Sequence, residues 1–323
     1  NQADRYEDNE KPSDATRTYQ IRSNETENKL RFDVTKNSNN ISLSYGLVAQ
    51  YVQFDNAFYQ LFRPALKDSA GKTIQDAITF NTNTGVNFLR YGGFVQLGTR
   101  LLDDRLAVST GIRADANSFE SSSQNPLEQL SPRISLSYAL SNTWNFSASY
   151  GTYYRLPSYT QLAYTNNGFT NPGKYIQSNH YVAGFEYLPS STTRFTFEGF
   201  YKGYKNYPVS ILDQISLANK GIEFGAIGNE PIQQDGTGRA YGFEFFAQQK
   251  LTEKFFGVLS YTLYWSEFSG LDKKLKPASW DNRHLISTTV GYKLPKNWEL
   301  GVKFRYQGAA PYTPYNLEQS KLN

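Results

Sequence analysis

The sequence predicts an all-β protein, an antiparallel β-barrel that crosses a membrane. Three observations predict it. Apolar residues recur with period two: residues 134–140 read Ile-Ser-Leu-Ser-Tyr-Ala-Leu, and 144–154 read Trp-Asn-Phe-Ser-Ala-Ser-Tyr-Gly-Thr-Tyr-Tyr. Such runs come in pairs joined by a short turn, with a long polar stretch after each pair. The ionic residues gather in one register of the runs, leaving the other uncharged. A strand between lipid and a wet interior needs this alternation, and a wall of such strands has short turns at one rim and long loops at the other.

About twelve strands are read by counting alternating runs between turn signals. The first pair is 28–36 and 40–54. Leu30, Phe32 and Val34 share one face with Ile41, Leu43, Tyr45, Leu47 and Tyr51, and Asn37-Ser38-Asn39-Asn40 supplies the turn. Asn tolerates the left-handed backbone such turns require. The second pair, 86–102 and 105–119, turns at Asp103-Asp104. Its apolar residues are Leu89, Tyr91, Val95, Leu97 and Leu101, then Leu106, Val108, Ile112 and Ala114. The third is 131–140 and 143–155, turning near Ser141-Asn142-Thr143. The fourth is 178–188 and 193–205, turning at Pro189-Ser190-Ser191-Thr192. The fifth is 238–251 and 254–267, turning near Thr252-Glu253, and the sixth is 283–294 and 297–308, turning at Pro295-Lys296-Asn297. Stretches 55–85, 120–130, 156–177, 206–237 and 268–282 are read as the long loops. These strands exceed the soluble average and reach the roughly 9–11 residues a tilted membrane strand needs.

The register assigned to lipid is read as free of Asp, Glu, Lys and Arg. The other carries Arg90, Arg100, Arg113, Asp115, Arg133, Glu186, Arg194, Glu198, Lys202, Glu244, Glu299, Lys303 and Arg305. A basic residue at the lipid midplane costs roughly 2–4 kcal/mol, whereas a lumen charge costs little. A soluble β-protein with its polar face outward has the same period, so periodicity alone leaves that alternative open. Aromatics favour the membrane: Tyr138, Trp144, Tyr187, Tyr292 and Trp298 flank short turns in the lipid register, where an interfacial girdle belongs. Aromatics are 16% of the chain, with 25 Tyr and 22 Phe.

Composition narrows the function. No run of about 18 apolar residues exists, so helical spans are excluded. With no cysteine, thiolate metal sites, disulfides and cysteine nucleophiles are excluded. Net charge is +4, from 33 basic and 29 acidic residues interspersed along the chain, so no basic stripe marks a nucleic-acid partner. Methionine is absent and the N-terminus lacks a signal-peptide core, so the chain reads as processed or as part of a larger protein.

Several segments resemble the barrel of TonB-dependent outer-membrane receptors. They are "GGFVQLGTRLLDDRLAVSTGIRAD" (92–115), "LSPRISLSYALSNTWNFSASYGTYYRLPSYTQL" (130–162), "FTFEGFYKGYKNYP" (195–208), "GRAYGFEFFAQQKLTEKFFGVLSYTLYWSEF" (238–268), "WDNRHLIS" (280–287) and "YQGAAPYTP" (306–314). Their order and spacing cover most of residues 86–314. The resemblance implies active uptake of a scarce nutrient (siderophore, cobalamin, glycan or peptide) across the bacterial outer membrane. It also implies a barrel of about 22 strands around a plug. Residues 1–323 then form part of one barrel domain, with the N-terminal plug and the last strands outside this sequence. The implied partners are outer-membrane lipid, the protein's own plug, the TonB energy transducer acting through the missing N-terminal region, and a surface lipoprotein.

Candidate chemistry is sparse. His180 and His284 have no metal-ligand spacing, and no Gly-x-Ser-x-Gly or phosphate loop occurs, so no catalytic residue, metal or cofactor is assigned. Asp115, Glu186, Glu198 and Glu244 are read as ion-pairing with Arg113, Arg133, Arg194 and Lys202 along the lumen wall. Loop aromatics and a cation, Tyr59, Tyr153, Tyr154, Arg155 and Tyr164, are the candidate ligand contacts, within 153–169 and the Phe54-Phe58-Tyr59-Phe62-Arg63 segment. A passive porin, a soluble β-rich glycan-binding or adhesion protein and an outer-membrane hydrolase are the alternatives.

Overall fold

In the computed structural model, residues 2–6, 17–166, 168–221 and 230–312 are described. Thirteen strands follow one another in chain order, each hydrogen-bonded antiparallel to the next. They are β1 (Gln2–Tyr6), β2 (Arg17–Ser38), β3 (Ile41–Arg63), β4 (Ile78–Leu101), β5 (Leu106–Asn117), β6 (Leu130–Ala139) and β7 (Trp144–Arg155), then β8 (Ile176–Ser190), β9 (Thr193–Ser210), β10 (Ile232–Gln249), β11 (Phe255–Ser269), β12 (His284–Lys293) and β13 (Glu299–Gln307). The predicted pairs are β2 to β13, and β1 is one strand more than predicted. The sheet does not close: among the described residues β1 and β13 do not pair with each other, so the wall is part of a barrel.

The short turns follow their residues. Asn39 takes φ 42°, Asp103 and Asp104 take 54° and 64°, and Lys296 and Asn297 take 62° and 61°. Ser141 Oγ accepts from the backbone N–H of Thr143 at 3.2 Å and of Trp144 at 3.1 Å, fixing the β6–β7 turn.

Directly paired residues share a face. Phe32 opposes Leu47 and Val34 opposes Tyr45, while Gly46, Val48 and Gln50 lie on the other face with Asp33, Arg31 and Lys29. Phe32 is 62% and Leu47 67% exposed, so no second protein layer covers the apolar face. A soluble sandwich buries that face, so this geometry removes the alternative. From Ile41 to Tyr51 the band climbs roughly 25 Å, at about 3.3 Å per residue and a tilt of about 40°.

Above Tyr51 the pattern inverts without losing its period. Gln53 and Asp55 continue the outer row of β3, while Val52, Phe54 and Phe58 are buried on the inner one. On β4 the outer row continues as Asn87, Asn83 and Asn81, and the inner row holds Phe88 and Phe80. Outside lipid the outer face meets water, and the inner face is roofed by loops. This corrects the expected boundaries: 54–63 belongs to a strand, and only 64–77 remains of the predicted 55–85 loop. Likewise β9 continues to Ser210 and β10 begins at Ile232.

A second correction concerns charge. Lys36, Lys205, Arg239 and Glu267 all fall in the outer register, opposite Leu43, Gln177, Gly203 and Arg239 in turn. All lie outside the apolar band, Lys36 beside a short turn and the other three beyond the tyrosines at the opposite edge, where the cost of a lipid-facing charge falls to about 0–1 kcal/mol.

The sequence also missed an upper girdle. Tyr150, Tyr181, Tyr201, Tyr241 and Trp265 are successive cross-strand partners on β7 to β11. Their rings lie 5.0, 6.3, 6.5 and 5.4 Å apart in that order. Lower down, Trp144 stacks on Tyr187 at 4.6 Å.

Arginine placed mid-band at outer Phe197 is expected to cost about 2–4 kcal/mol, and at inner Ser135 under about 1 kcal/mol. Denaturant-induced unfolding of the protein in lipid vesicles measures the difference.

Candidate functional site

Loops fold over the inner face at the extracellular end and create two packed clusters. In the first, loop 156–175 brings Leu156, Leu162 and Tyr175 onto Val52 and Phe88, with Phe119, Tyr154 and Tyr159 at the margin. Tyr159 Oη donates to Glu27 Oε1 at 2.6 Å, joining this loop to β2. Burial first, and then that carboxylate, push the Tyr159 phenol up to about 12, so it remains a donor at every physiological pH. In the second cluster, Ala218, Phe268 and Ala278 pack with Tyr204 and Tyr207, and the Tyr207 and Phe268 rings lie 4.3 Å apart.

The short segment 171–175 ties several loops together through side-chain amides and a carboxylate. Asn171 Nδ2 donates to the carbonyls of Gln161 at 2.9 Å and Glu230 at 3.0 Å, and its Oδ1 accepts from Ile232 N–H at 2.8 Å. Glu120 accepts from Gly173 N–H at 3.0 Å. Gln234 mimics a strand by accepting from Lys174 N–H at 2.8 Å and donating to Lys174 O at 2.7 Å. Asn206 Nδ2 donates to Tyr175 O at 3.1 Å. Beside it, Lys220, Glu230 and the Ser210 hydroxyl form a largely buried polar knot, with Asp213 pairing Lys220 from its exposed side. Side chains at loop bases thus hold the mouth in one shape, where backbone pairing has run out.

Between the clusters lies a cavity of about 880 Å³. Tyr153, Tyr154, Arg155, His180, Lys202, Tyr204, Tyr207, Tyr264 and Trp280 line it, with Glu244 on the wall. Arg133 lies 4.5 Å over the Tyr153 ring, and the His180 ring lies 4.6 Å from that of Tyr153. His180 Nε2 contacts Ser178 Oγ at 2.7 Å. The cavity offers aromatic faces and cationic donors together, suited to a flat or anionic ligand.

Of the five candidate ligand residues, Tyr153, Tyr154 and Arg155 come together at this cavity. Tyr164 is buried away from it, its carbonyl accepting from Asn171 N–H at 3.3 Å. Tyr59 pairs with Gln20 and Asn81 in the outer row and faces away from the cavity. Tyr204, Tyr207, Phe268 and Trp280 were missed; for Tyr204 and Tyr207 the run Phe-Tyr-Lys-Gly-Tyr-Lys-Asn-Tyr over 200–207 was the available signal.

The predicted wall charges divide. Arg194 Nε meets Glu186 at 2.6 Å across strands, and Arg113 Nε meets Asp115 at 2.6 Å on its own strand. Among the described residues Arg133, Glu198, Lys202 and Glu244 form no ion pair: Arg133 stacks on Tyr153, Lys202 lies 5.2 Å from the Phe200 ring, and Glu198 opposes Glu244. His284 lies in the outer register, its Nδ1 2.9 Å from Tyr261 Oη. No group of three or more His, Cys, Asp or Glu stands ready for a metal among the described residues.

An open arc with alternating turns and loops, two girdles and a roofed extracellular cavity defines a receptor-type outer-membrane barrel. The chain belongs to the family described as "TonB dependent receptor-like, beta-barrel", whose match runs over residues 1–322. Solved structures agree at the level of fold. The pyoverdine outer membrane receptor FpvA from Pseudomonas aeruginosa PAO1 is 17% identical with a TM-score of 0.61, over 95% of this chain and 44% of that one. The ferric-catecholate import receptor Fiu from K12 E. coli is 14% identical at 0.58, over 91% and 46%. The ferric yersiniabactin uptake receptor FyuA from Yersinia pestis is 12% identical at 0.60, over 89% and 42%. The chain thus spans less than half the length of these structures. No curated protein matches it by sequence. The family places the chain in the outer membrane of a Gram-negative bacterium.

Two outcomes follow for the mouth. Asn171→Ala leaves buried backbone groups unpaired, at about 1–3 kcal/mol for each. Hydrogen exchange is expected to rise in 156–166 and 230–234 while β5–β9 stay protected. Asp281, in the loop before β12, is buried, and neither oxygen has a partner in hydrogen-bonding geometry. Burial outweighs Arg283, 3.4 Å away, and raises its carboxyl above the ordinary value. A raised folded pKa favours the native state below the unfolded value and loses that favour as pH rises through the folded one. Asp281→Asn is therefore expected to stabilise the protein near pH 7, with the gain shrinking as pH falls through the raised folded value and levelling off below about pH 4, as thermal melts across pH measure.

Proposed function

We propose that this wall serves active, TonB-energised uptake of a bulky, scarce nutrient, captured at the extracellular cavity. The single observation that carries the reading is that cavity, about 880 Å³ of aromatic and cationic lining held in shape by loops. A ligand bound between the loops and a plug within the wall would be released inward when periplasmic energy rearranges the plug. No bond is made or broken in this chain: its part is a rigid conduit and half of a binding site. The neighbours named for pyoverdine, ferric catecholate and yersiniabactin make an iron chelate the first ligand to try, ahead of cobalamin, glycan and peptide. Residues 1–323 are proposed as part of one barrel, with a plug domain and further strands completing it and a surface lipoprotein as an accessory partner. Arg113–Asp115 and Arg194–Glu186 stiffen the wall, and Arg133, Lys202, Glu198 and Glu244 face the plug or ligand.

Uptake of labelled members of each ligand class, by cells with and without the gene and with and without TonB, tests the reading. One class is expected to accumulate only when both are present. Uptake that survives loss of TonB would point to a porin. For the accumulated ligand, Arg155→Ala and Tyr153→Ala are each expected to weaken binding about tenfold, the equivalent of ~1.4 kcal/mol, measured by titration of the purified receptor.

A further inference from the structure

We propose that the nutrient leaves the cavity along one flank of the wall, down the inner face of β5–β7, with Arg133 at the head of the route and Arg100 at its foot. The inference rests on the uptake reading and adds the path taken within the lumen. Two hollows continue the cavity downward. The upper, of about 380 Å³, shares Tyr153 with the cavity and reaches Ser109, Ser135 and Ser149. The lower, of about 650 Å³, shares those three serines and continues past Ser137 and Ser147 to Arg100 and to Asn39 and Asn40 of the β2–β3 turn. Shared lining thus joins the three spaces end to end, from the extracellular cavity to the opposite rim.

The hollows follow from the inner rows of the sheet. Gly111, Arg133 and Gly151 form one row across β5–β7. Ser109, Ser135 and Ser149 form the next, and Ala107, Ser137 and Ser147 the third. From β8 onward the same rows fill. The second continues as Val182 and Phe200, the third as Gly184, Glu198 and Glu244. Val182 and Glu198 are where the lower hollow ends. A hydrogen-bonded wall backed by lipid is a fixed boundary, so a bulky solute passes where the inner side chains leave room.

The chemistry of the lining suits passage rather than capture. Among the described residues the hydroxyls of Ser135, Ser137, Ser147 and Ser149 have no hydrogen-bond partner, and Ser109 Oγ accepts from Gln96 Nε2 at 3.0 Å. A route needs contacts favourable enough to enter and weak enough to leave, and neutral hydroxyls supply them. Charge marks the two ends. Arg133 has a glycine on either side and lies 4.5 Å over the Tyr153 ring of the cavity. Arg100, opposite Ala107, is exposed. Neither forms an ion pair among the described residues, whereas Arg31 and Arg113, which also line the upper hollow, are held by Asp33 and Asp115. Gly111, beside Arg133, and Ala107, beside Arg100, are four residues apart on β5, a rise of roughly 13 Å. An anionic solute released by the first guanidinium meets hydroxyls and then the second guanidinium. Glu198 is the one carboxylate lining the lower hollow among the described residues.

In the complete receptor, single cysteines are placed on the route (S135C, S137C, S149C) and on the inner face of β11 and β12 (S260C, T289C). Each is capped in intact cells, after folding and insertion, with a bulky neutral methanethiosulfonate. Binding and TonB-dependent accumulation of pyoverdine, catecholate and yersiniabactin chelates of radioactive iron are then measured separately. Caps on the route are expected to leave binding unchanged and cut accumulation about tenfold, and caps on β11 and β12 to change it less than about twofold. Without any cap, R100Q is expected to keep binding and lower accumulation about threefold, and R100K to restore most of it. Unaltered accumulation with capped serines or in R100Q, or an equal loss on both flanks, would overturn the proposal. Loss of binding on capping would do the same, assigning those serines to capture. If the unaltered receptor accumulates none of the three chelates through TonB, the uptake reading itself falls, and the route with it.

Discussion

The constraint on which the rest depends is the absence of water against one face of the wall between the two girdles. Within that band a strand must satisfy every backbone group through its neighbours and present apolar side chains outward. The long pairings, the uncovered Leu and Phe rows and the short polar turns follow from it. Where the band ends, the same strands continue with opposite chemistry. On β3 the change falls between Tyr51 and Gln53 on the outer row, and between Gln50 and Val52 on the inner one.

That inversion links membrane insertion to the candidate site. Above the band the inner-facing apolar side chains of β3 and β4 are buried, and there loops pack on them. Val52, Phe54 and Phe88 are the floor on which loop 156–175 is laid, and Asn171 and Gln234 lock its far end to β10. The cavity beside it owes its shape to this roof. Its lining joins strand-borne Tyr153, His180 and Lys202 to loop-borne Trp280.

The membrane-spanning half of the structure was legible because lipid imposes period two with constant phase. All the predicted hairpins are present, and the turns fall where Asn, Asp and Ser permit them. The strand extensions 55–63 and 78–85 were not legible, because their phase reverses and the alternation looks broken when read against a lipid face. The upper girdle escaped for a related reason: Tyr150, Tyr181, Tyr201 and Tyr241 lie mid-run rather than beside a turn, and only pairing across strands aligns them. Arg239 and Glu267 were overlooked in the outer register because each ends a run. At the cavity, Tyr153 and Arg155 could be named because they close a strand. Trp280 could not, since it arrives through a loop with no period, and Tyr207 lies beyond the register break that follows Tyr204; Tyr59 was read as a loop residue because the alternation of its segment reverses phase.

The most direct measurement of the account uses the chain's lack of native cysteine. Single cysteines at successive positions from Leu43 to Phe58 carry spin labels in a lipid bilayer, and each is tested with lipid-soluble oxygen and a water-soluble relaxant. Oxygen accessibility is expected to alternate, high at odd positions through Tyr51, and to vanish from both registers above it as Gln53 and Asp55 become water-accessible. Equal accessibility in both registers of 43–51, or oxygen maxima continuing through Asp55, would contradict the account.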